Sequence, residues 1–403
     1  MFLSRCRSPL GQHRLQQVSR RSISSGRQTL ADHVRIIEVG PRDGLQNETT
    51  SIPVETKLEL IHRLVKAGLT TIEAGSFVAP KWVPQMVASD QILSSILSDP
   101  PPSPSPVTYQ WLLPNTKGLR TFLQTVETAR PASPSNDAGT SSPPPRLESG
   151  PALNTSSYDP NAMPSAESGV DGTSHSRSPE GASLSKNGHR HEVSVFMAAT
   201  ESFNRANTNC SVQESLDRFK PVFSDGKEAG FAVRAYISVA LGCPFEGPRV
   251  DPHKVADIAA SLMEMGADEV SVADTTGMGT APSTKKLLQT LQEAGIRSED
   301  TAMHFHDTYG QALTNTMVAL DHGIRAFDSA VGGLGGCPFA PGATGNVATE
   351  DLVYSLHSLG AKTDVHLEEL SRTGDWITSR IGKQNSSRAG RATLASLRRE
   401  GKA

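Results

Sequence analysis

Val34-Arg35-Ile36-Ile37-Glu38-Val39 runs directly into Gly40-Pro41-Arg42-Asp43-Gly44-Leu45-Gln46-Asn47-Glu48. A short β-branched run followed by a turn and then a helical pattern is the opening of a βα unit. In an open, doubly wound sheet the first turn would carry the Gly-x-Gly-x-x-Gly fingerprint of dinucleotide binding. Here the turn holds an arginine and an aspartate instead, which lowers the open-sheet reading. The same alternation recurs along the chain, with apolar runs at residues 34–39, 70–75, 107–113, 192–198, 233–241, 269–274, 301–306 and 325–331. Amphipathic stretches at 54–69 and 253–267 lie between them, each closing near a glycine suited to a helix C-cap. Eight strands with intervening helices predict a closed (β/α)8 TIM barrel, in which chemistry belongs at the C-terminal ends of the strands.

Composition divides the chain further. Residues 1–31 carry six arginines and no acid, the pattern of a mitochondrial presequence, and point to the matrix. Taking those six away leaves 33 basic against 42 acidic residues, a charge of −9, which would repel phosphates and argues against nucleic acid as a partner. Nowhere does an uncharged apolar run reach the roughly 18 residues needed to span a bilayer, so no membrane role is expected. Four widely spaced cysteines, Cys6, Cys210, Cys243 and Cys337, are not a disulfide framework and fit a reduced compartment. The barrel is expected at 32–130 and 190–360, with a C-terminal helical extension at 361–403. Between them, residues 131–189 are rich in Ser, Pro, Gly, Asn and Asp and bury too little to offset their ordering entropy. They read as a disordered low-complexity insertion between helix 3 and strand 4, emerging at the face opposite the site.

His304-Phe305-His306-Asp307 carries the strongest polar signal. Residues two apart on a strand share a face, so His304 and His306 can project inward together while Phe305 packs outward. Carboxylates stand at comparable positions: Asp43 beside Arg42 after the first strand, Glu73 in the second, Asp274 closing the sixth. With an amide they make a mixed oxygen and nitrogen set suited to Mg²⁺ or Mn²⁺, and the absence of clustered cysteines weighs against structural zinc. Arg42 has the chemistry to steady an oxygen on which charge develops as a carbon–carbon bond breaks toward an enolate. It could equally pair with Glu73 and order the barrel mouth. Gly332-Gly333-Leu334-Gly335-Gly336-Cys337-Pro338 is too glycine-rich to be core. It reads as a bent, hinged loop after the eighth strand, carrying one thiol and leading to Asn346.

Together, GPRDGLQNE (40–48), SFVAPKWVPQM (76–86), ALGCPFEG (240–247), HFHDTYGQAL (304–313) and GGLGGCPFAPGATGNVATEDLVY (332–354) resemble the family of 3-hydroxy-3-methylglutaryl-CoA lyases. The glycine loop with its cysteine is the most specific of these motifs. The resemblance implies metal-dependent cleavage of 3-hydroxy-3-methylglutaryl-CoA to acetyl-CoA and acetoacetate, in leucine degradation and ketone-body formation, and a homodimer. It implies metal ligands at Asp43, His304, His306 and Asn346, the enolate-steadying arginine at Arg42, supporting acids at Glu73 and Asp274, and the loop cysteine at Cys337. Asp43 is the candidate general base, with His304 able to share the task. Coenzyme A contacts fall on Gln46 and Asn47, while Thr49 stands where relatives often carry a basic residue. A barrel aldolase or acyl-CoA condensing synthase would share GPRDG and the paired histidines, and a non-catalytic mitochondrial scaffold would need a broken site. The C-terminus, ending Gly401-Lys402-Ala403, is not a peroxisomal address.

Overall fold

The computed structural model describes residues 33–129, 188–336 and 345–402. The expected leader, residues 131–187 of the expected insertion, and Cys337 lie outside the described residues. Eight strands close in chain order into one parallel barrel, the last pairing with the first. They are β1 (Arg35–Glu38), β2 (Thr71–Ser76), β3 (Thr108–Leu112), β4 (Arg190–Ala198), β5 (Ala232–Ser238), β6 (Glu269–Asp274), β7 (Thr301–Phe305) and β8 (Ala326–Ser329). The fold is therefore the expected (β/α)8 barrel.

Helices α1 (Val54–Lys66), α2 (Ser89–Ser98) and α3 (Thr116–Ala129) follow the first three strands. Two helices follow β4: the short α4 (Glu201–Thr208), which the sequence reading did not anticipate, and α5 (Val212–Glu228). Asn204 explains this pair, since its amide accepts from the Ala198 N–H at 3.0 Å and donates to the Ser211 carbonyl and Ser215 hydroxyl at 2.8 Å each, tying both helices to the end of β4. The barrel continues with α6 (Pro252–Glu264), α7 (Ala281–Glu293), α8 (Ala312–Asp321) and α9 (Thr349–Ser358). The extension beyond is helical as expected, with α10 (Leu367–Arg380) and α11 (Arg388–Arg399). Among the described residues no helix is long and apolar enough to cross a membrane.

Each barrel helix buries one stripe against the sheet. On α1 that stripe is Leu60, Ile61, Leu64 and Val65, at the 3–4 spacing an amphipathic helix requires. Gly68 then takes φ +95°, and a Cβ there would lie 2.2 Å from the Asp364 carbonyl, so only glycine closes this turn. Two strands end two or more residues earlier than their apolar runs suggest. β5 stops at Ser238 because Val239 turns to φ +54°, a left-handed conformation costly for a β-branched residue. β8 stops at Ser329 because Val331–Gly333 winds into a 3-10 turn.

Phe122 on α3 is fully buried and makes edge-on contacts with Phe77 and Phe231, with ring centroids 5.5 and 5.1 Å apart. Phe122→Ala should cost about 3–5 kcal/mol by removing that payload and leaving a cavity. Urea unfolding would check this, and a loss below about 1 kcal/mol would mean this aromatic packing is not what holds α3 to the barrel.

Candidate active site

The turn after β1 is wound more tightly than a loop. Gly40–Gly44 forms one π-helical turn in which the Val39 carbonyl accepts from the N–H groups of Arg42 and Gly44 at 3.2 and 3.1 Å. This winding turns Arg42 and Asp43 together over the barrel mouth. Arg42 Nε donates to Glu73 Oε2 at 2.7 Å and its Nη1 donates to Asp43 Oδ1 at 2.8 Å. Both alternatives raised for Arg42 therefore begin from one geometry, a guanidinium held between two carboxylates. Burial opposes its charge, but Glu73 and Asp43 outweigh that and hold Arg42 firmly protonated.

Asp43 Oδ2 accepts from Asn346 Nδ2 at 2.8 Å. Burial would raise the Asp43 carboxyl, yet Arg42 and the two histidines hold it below the usual carboxylate range. Glu73 shifts the other way: burial raises it and Arg42 only partly compensates. The rings of His304 and His306 lie 5.3 Å apart. His306 follows β7 in a bridge to Asn346, which brings that amide from the far side of the glycine loop. Burial, then the neighbouring His304 charge, pulls His306 down to about 4, so it is neutral and able to ligate.

Asp43, His304 and His306 each offer one ligand atom, all within 4.8 Å of one another. Asn346 Oδ1 and His306 Nδ1 are buried without a hydrogen-bond partner. A carboxylate oxygen, two imidazoles and an amide oxygen with spare lone pairs fit a divalent cation of the Mg²⁺ or Mn²⁺ kind. Glu73 and Asp274 stay outside this set. Asp274 Oδ2 accepts from the Gly279 N–H at 3.0 Å, and burial lifts its carboxyl to about 7 against the Gly279 hydrogen bond. Gln46 faces Arg42 Nη1 at 3.4 Å, and the Asn47 amide donates to the Gly336 carbonyl, so both expected coenzyme A contacts also engage groups within the protein.

The described root of the glycine loop is pinned. Glu38 Oε1 accepts from the N–H groups of Gly40 and Val331 at 2.9 Å each, and its Oε2 accepts from the Thr349 hydroxyl at 2.6 Å. Glu350 Oε2 accepts from the Gly332 N–H at 2.9 Å. Gly335, at φ +110°, brings its backbone so near Asn346 that a Cβ would lie 2.6 Å from Nδ2.

Four residues that shape the site belong to no motif: Glu38 at the loop root, and Arg234, Tyr236 and Asp328 beneath the histidines. A fifth, Glu350, lies inside the glycine-loop motif without having been singled out. For Glu38, Arg234 and Asp328 the signal is a charge inside an apolar strand run.

Residues 33–120 and 180–377 match the HMGL-like family. The chain is 42% identical over 366 residues to the 3-hydroxy-3-isohexenylglutaryl-CoA/hydroxy-methylglutaryl-CoA lyase of Pseudomonas aeruginosa, covering 91% of this chain and 99% of that protein. It is 41% identical over 375 residues to the mitochondrial hydroxymethylglutaryl-CoA lyase of Rattus norvegicus, covering 93% and 94%. The crystal structure of hydroxymethylglutaryl-CoA lyase from Pseudomonas aeruginosa superposes with a TM-score of 0.70 at 40% identity, covering 91% of this chain and 98% of that one.

Glu350 and Glu38 are fully buried, and burial raises them from 4.5 to about 8 and about 7. The folded protein thus holds protons that the unfolded chain releases near 4.5, and the stability they contribute falls as pH rises from about 4.5 to about 8. Denaturant unfolding at a series of pH values should show this fall, flattened in Glu350→Gln. An equally steep fall in that variant would place the linkage elsewhere.

Proposed function

The chain belongs to the HMGL-like family, and from that membership we propose how its residues perform the cleavage of 3-hydroxy-3-methylglutaryl-CoA to acetyl-CoA and acetoacetate. The protein is a carbon–carbon lyase, and the observation that carries the mechanism is the convergence of Asp43, His304 and His306 donors beside Arg42. Asp43, His304, His306 and Asn346 would hold a divalent cation, which we assign as Mg²⁺ or Mn²⁺. When bound, that ion supplies Lewis-acid polarisation of the substrate's hydroxyl and carbonyl oxygens.

Cleavage begins with loss of the tertiary hydroxyl proton. Asp43 is the acceptor we assign, with His304 sharing the task. Its depressed pKa keeps Asp43 ionised, the form an acceptor needs, although the same depression makes it a weak base. As the oxygen's electron pair becomes the carbonyl of acetoacetate, the carbon–carbon bond breaks and its pair passes to the departing acetyl-CoA as an enolate. Arg42 stands ready for that charge, because Glu73 and Asp43 fix its direction beforehand and no reorganisation is needed at the moment of reaction. Cys337 is the donor we assign to return a proton to the enolate carbon, which completes acetyl-CoA. The coenzyme A portion of the substrate would approach past Gln46 and Asn47.

We further assign the protein to the mitochondrial matrix and to a homodimer. Support for the first comes from the arginine-rich, acid-free residues 1–31 and from similarity to the rat mitochondrial enzyme. Most of the expected insertion at 131–189 would tolerate deletion, since it joins a helix to β4 at the barrel face away from the mouth, but His189 is buried, accepts from the Val107 N–H at 2.9 Å and has to stay.

Purified protein with Mn²⁺ should release acetoacetate from 3-hydroxy-3-methylglutaryl-CoA, and folded, metal-loaded protein giving none would remove the assignment. His304→Ala should lose Mn²⁺ affinity by calorimetry. Cys337→Ser should bind Mn²⁺ normally while its kcat drops about 10²–10⁴-fold, the span of a lost acid–base step. Equal metal loss in both variants would contradict this division of roles.

A further inference from the structure

The barrel interior is not filled by apolar layers alone. Arg234 of β5 reaches across to Asp328 of β8, two strands that are not neighbours, so their bond crosses the lumen. Its Nη2 donates to Asp328 Oδ1 at 2.6 Å, its Nε to Glu269 Oε1 at 2.7 Å, and its Nη1 to the Tyr236 hydroxyl at 2.6 Å. Glu269 is in turn paired with Arg35 at the opposite end of the barrel. The second oxygen of Asp328 receives the Ser271 hydroxyl at 2.8 Å and faces His304 Nδ1 at 3.1 Å. Arg234 and Asp328 are 2% and 1% exposed.

Burying such a pair is expensive, and well-packed apolar side chains in its place are often as stable or more so. Inward positions of barrels of this class are usually taken by branched aliphatic residues. The network therefore needs a reason other than stability, and hydrogen-bond arithmetic supplies one. A guanidinium only donates, so the Asp328 oxygen facing it must accept. An ionised carboxylate only accepts, so His304 Nδ1 must carry a proton, and whenever the ring is neutral Nε2 is left with its lone pair.

We propose that Asp328, with Arg234 behind it, is a positioning pair that sets the His304 tautomer and ring orientation so that Nε2 is presented to a metal ion alongside Asp43 and His306. This rests on the metal-binding reading of those three residues. Neither Asp328 nor Arg234 touches substrate. Their influence is carried by one imidazole.

The pairing makes an asymmetric prediction. In Asp328→Asn, Arg234 still demands an acceptor, so the amide oxygen turns to it and the NH₂ faces Ser271 and His304. Nδ1 must then accept, the ring proton moves to Nε2, and the ligand lone pair is lost. Removing Arg234 as well frees the amide to turn over, present its oxygen to His304 and restore the original tautomer. A second substitution that removes Arg234 should thus repair part of the damage done by the first, the signature of direct coupling.

The test uses the full chain. Ring ¹⁵N shifts of His304 in metal-free wild-type protein, followed up in pH until the ring is neutral, should report the Nδ1–H form, and the Nε2–H form there overturns the proposal without any variant. Calorimetric Mn²⁺ titration should show Asp328→Asn weakened about 10–100-fold, the usual cost of a lost outer partner of a ligating histidine. Arg234→Met combined with Asp328→Asn should regain at least a tenfold part of that loss. Wild-type affinity in folded Asp328→Asn, or a folded double variant no tighter than the single, contradicts the proposal. Wild-type protein that binds no Mn²⁺ would defeat the metal-binding reading instead, while the ring shifts would still decide the tautomer.

Discussion

Glu73 and Asp43 share the mouth of the barrel with two imidazoles, and a single guanidinium makes this possible. Glu73 is fully buried and keeps one oxygen without a partner, so it depends on Arg42 for charge compensation. Asp43 takes Arg42 on one oxygen and Asn346 on the other. Removing Arg42 would leave buried carboxylate charge uncompensated, a loss that commonly costs about 3–5 kcal/mol. The enolate role we propose for Arg42 needs the same thing as its structural one, a positive charge that does not move.

The barrel determines where that charge stands. Parallel closure of β8 onto β1 puts the π-helical turn after β1 next to the glycine loop after β8, and Gly44 approaches Leu334 so closely that a Cβ would sit 2.9 Å from its Cβ. Glu38 and Glu350 then fasten the loop root from two sides by accepting the Val331 and Gly332 N–H groups. Ser386, which precedes α11, donates its backbone N–H to the Gly332 carbonyl at 2.9 Å. The helices beyond the barrel thus buttress the segment that leads toward Cys337.

Much of this was legible in the sequence, for reasons particular to each feature. The eight strands stood out as short β-branched runs between helical patterns, and the parity of His304 and His306 followed from the two-residue repeat of a strand. Asp43 was visible because a charged pair directly after a first strand is unusual. The interior network was not legible. Arg234 and Asp328 are 94 residues apart, each sits in a run that reads as an ordinary buried strand, and only closure of the barrel makes them partners. Glu38 was hidden for the same reason, since its partners Val331 and Thr349 lie 293 and 311 residues further along the chain. The π-helical winding of Gly40–Gly44 leaves no mark beyond its glycines and proline, which read equally well as a loop. The glycine loop was expected to be hinged around Cys337, which lies outside the described residues, while its described root is held by two buried acids.

The central claim is that Asp43, His304, His306 and Asn346 form one divalent-cation site beside Arg42. Anomalous diffraction at the manganese edge, from crystals of the protein grown with Mn²⁺, tests it most directly. The account predicts a single strong peak bonded to Asp43, His304 Nε2, His306 and Asn346 Oδ1, with His304 Nδ1 still on Asp328. A fully occupied peak elsewhere, or one that His304 approaches through Nδ1, would contradict it.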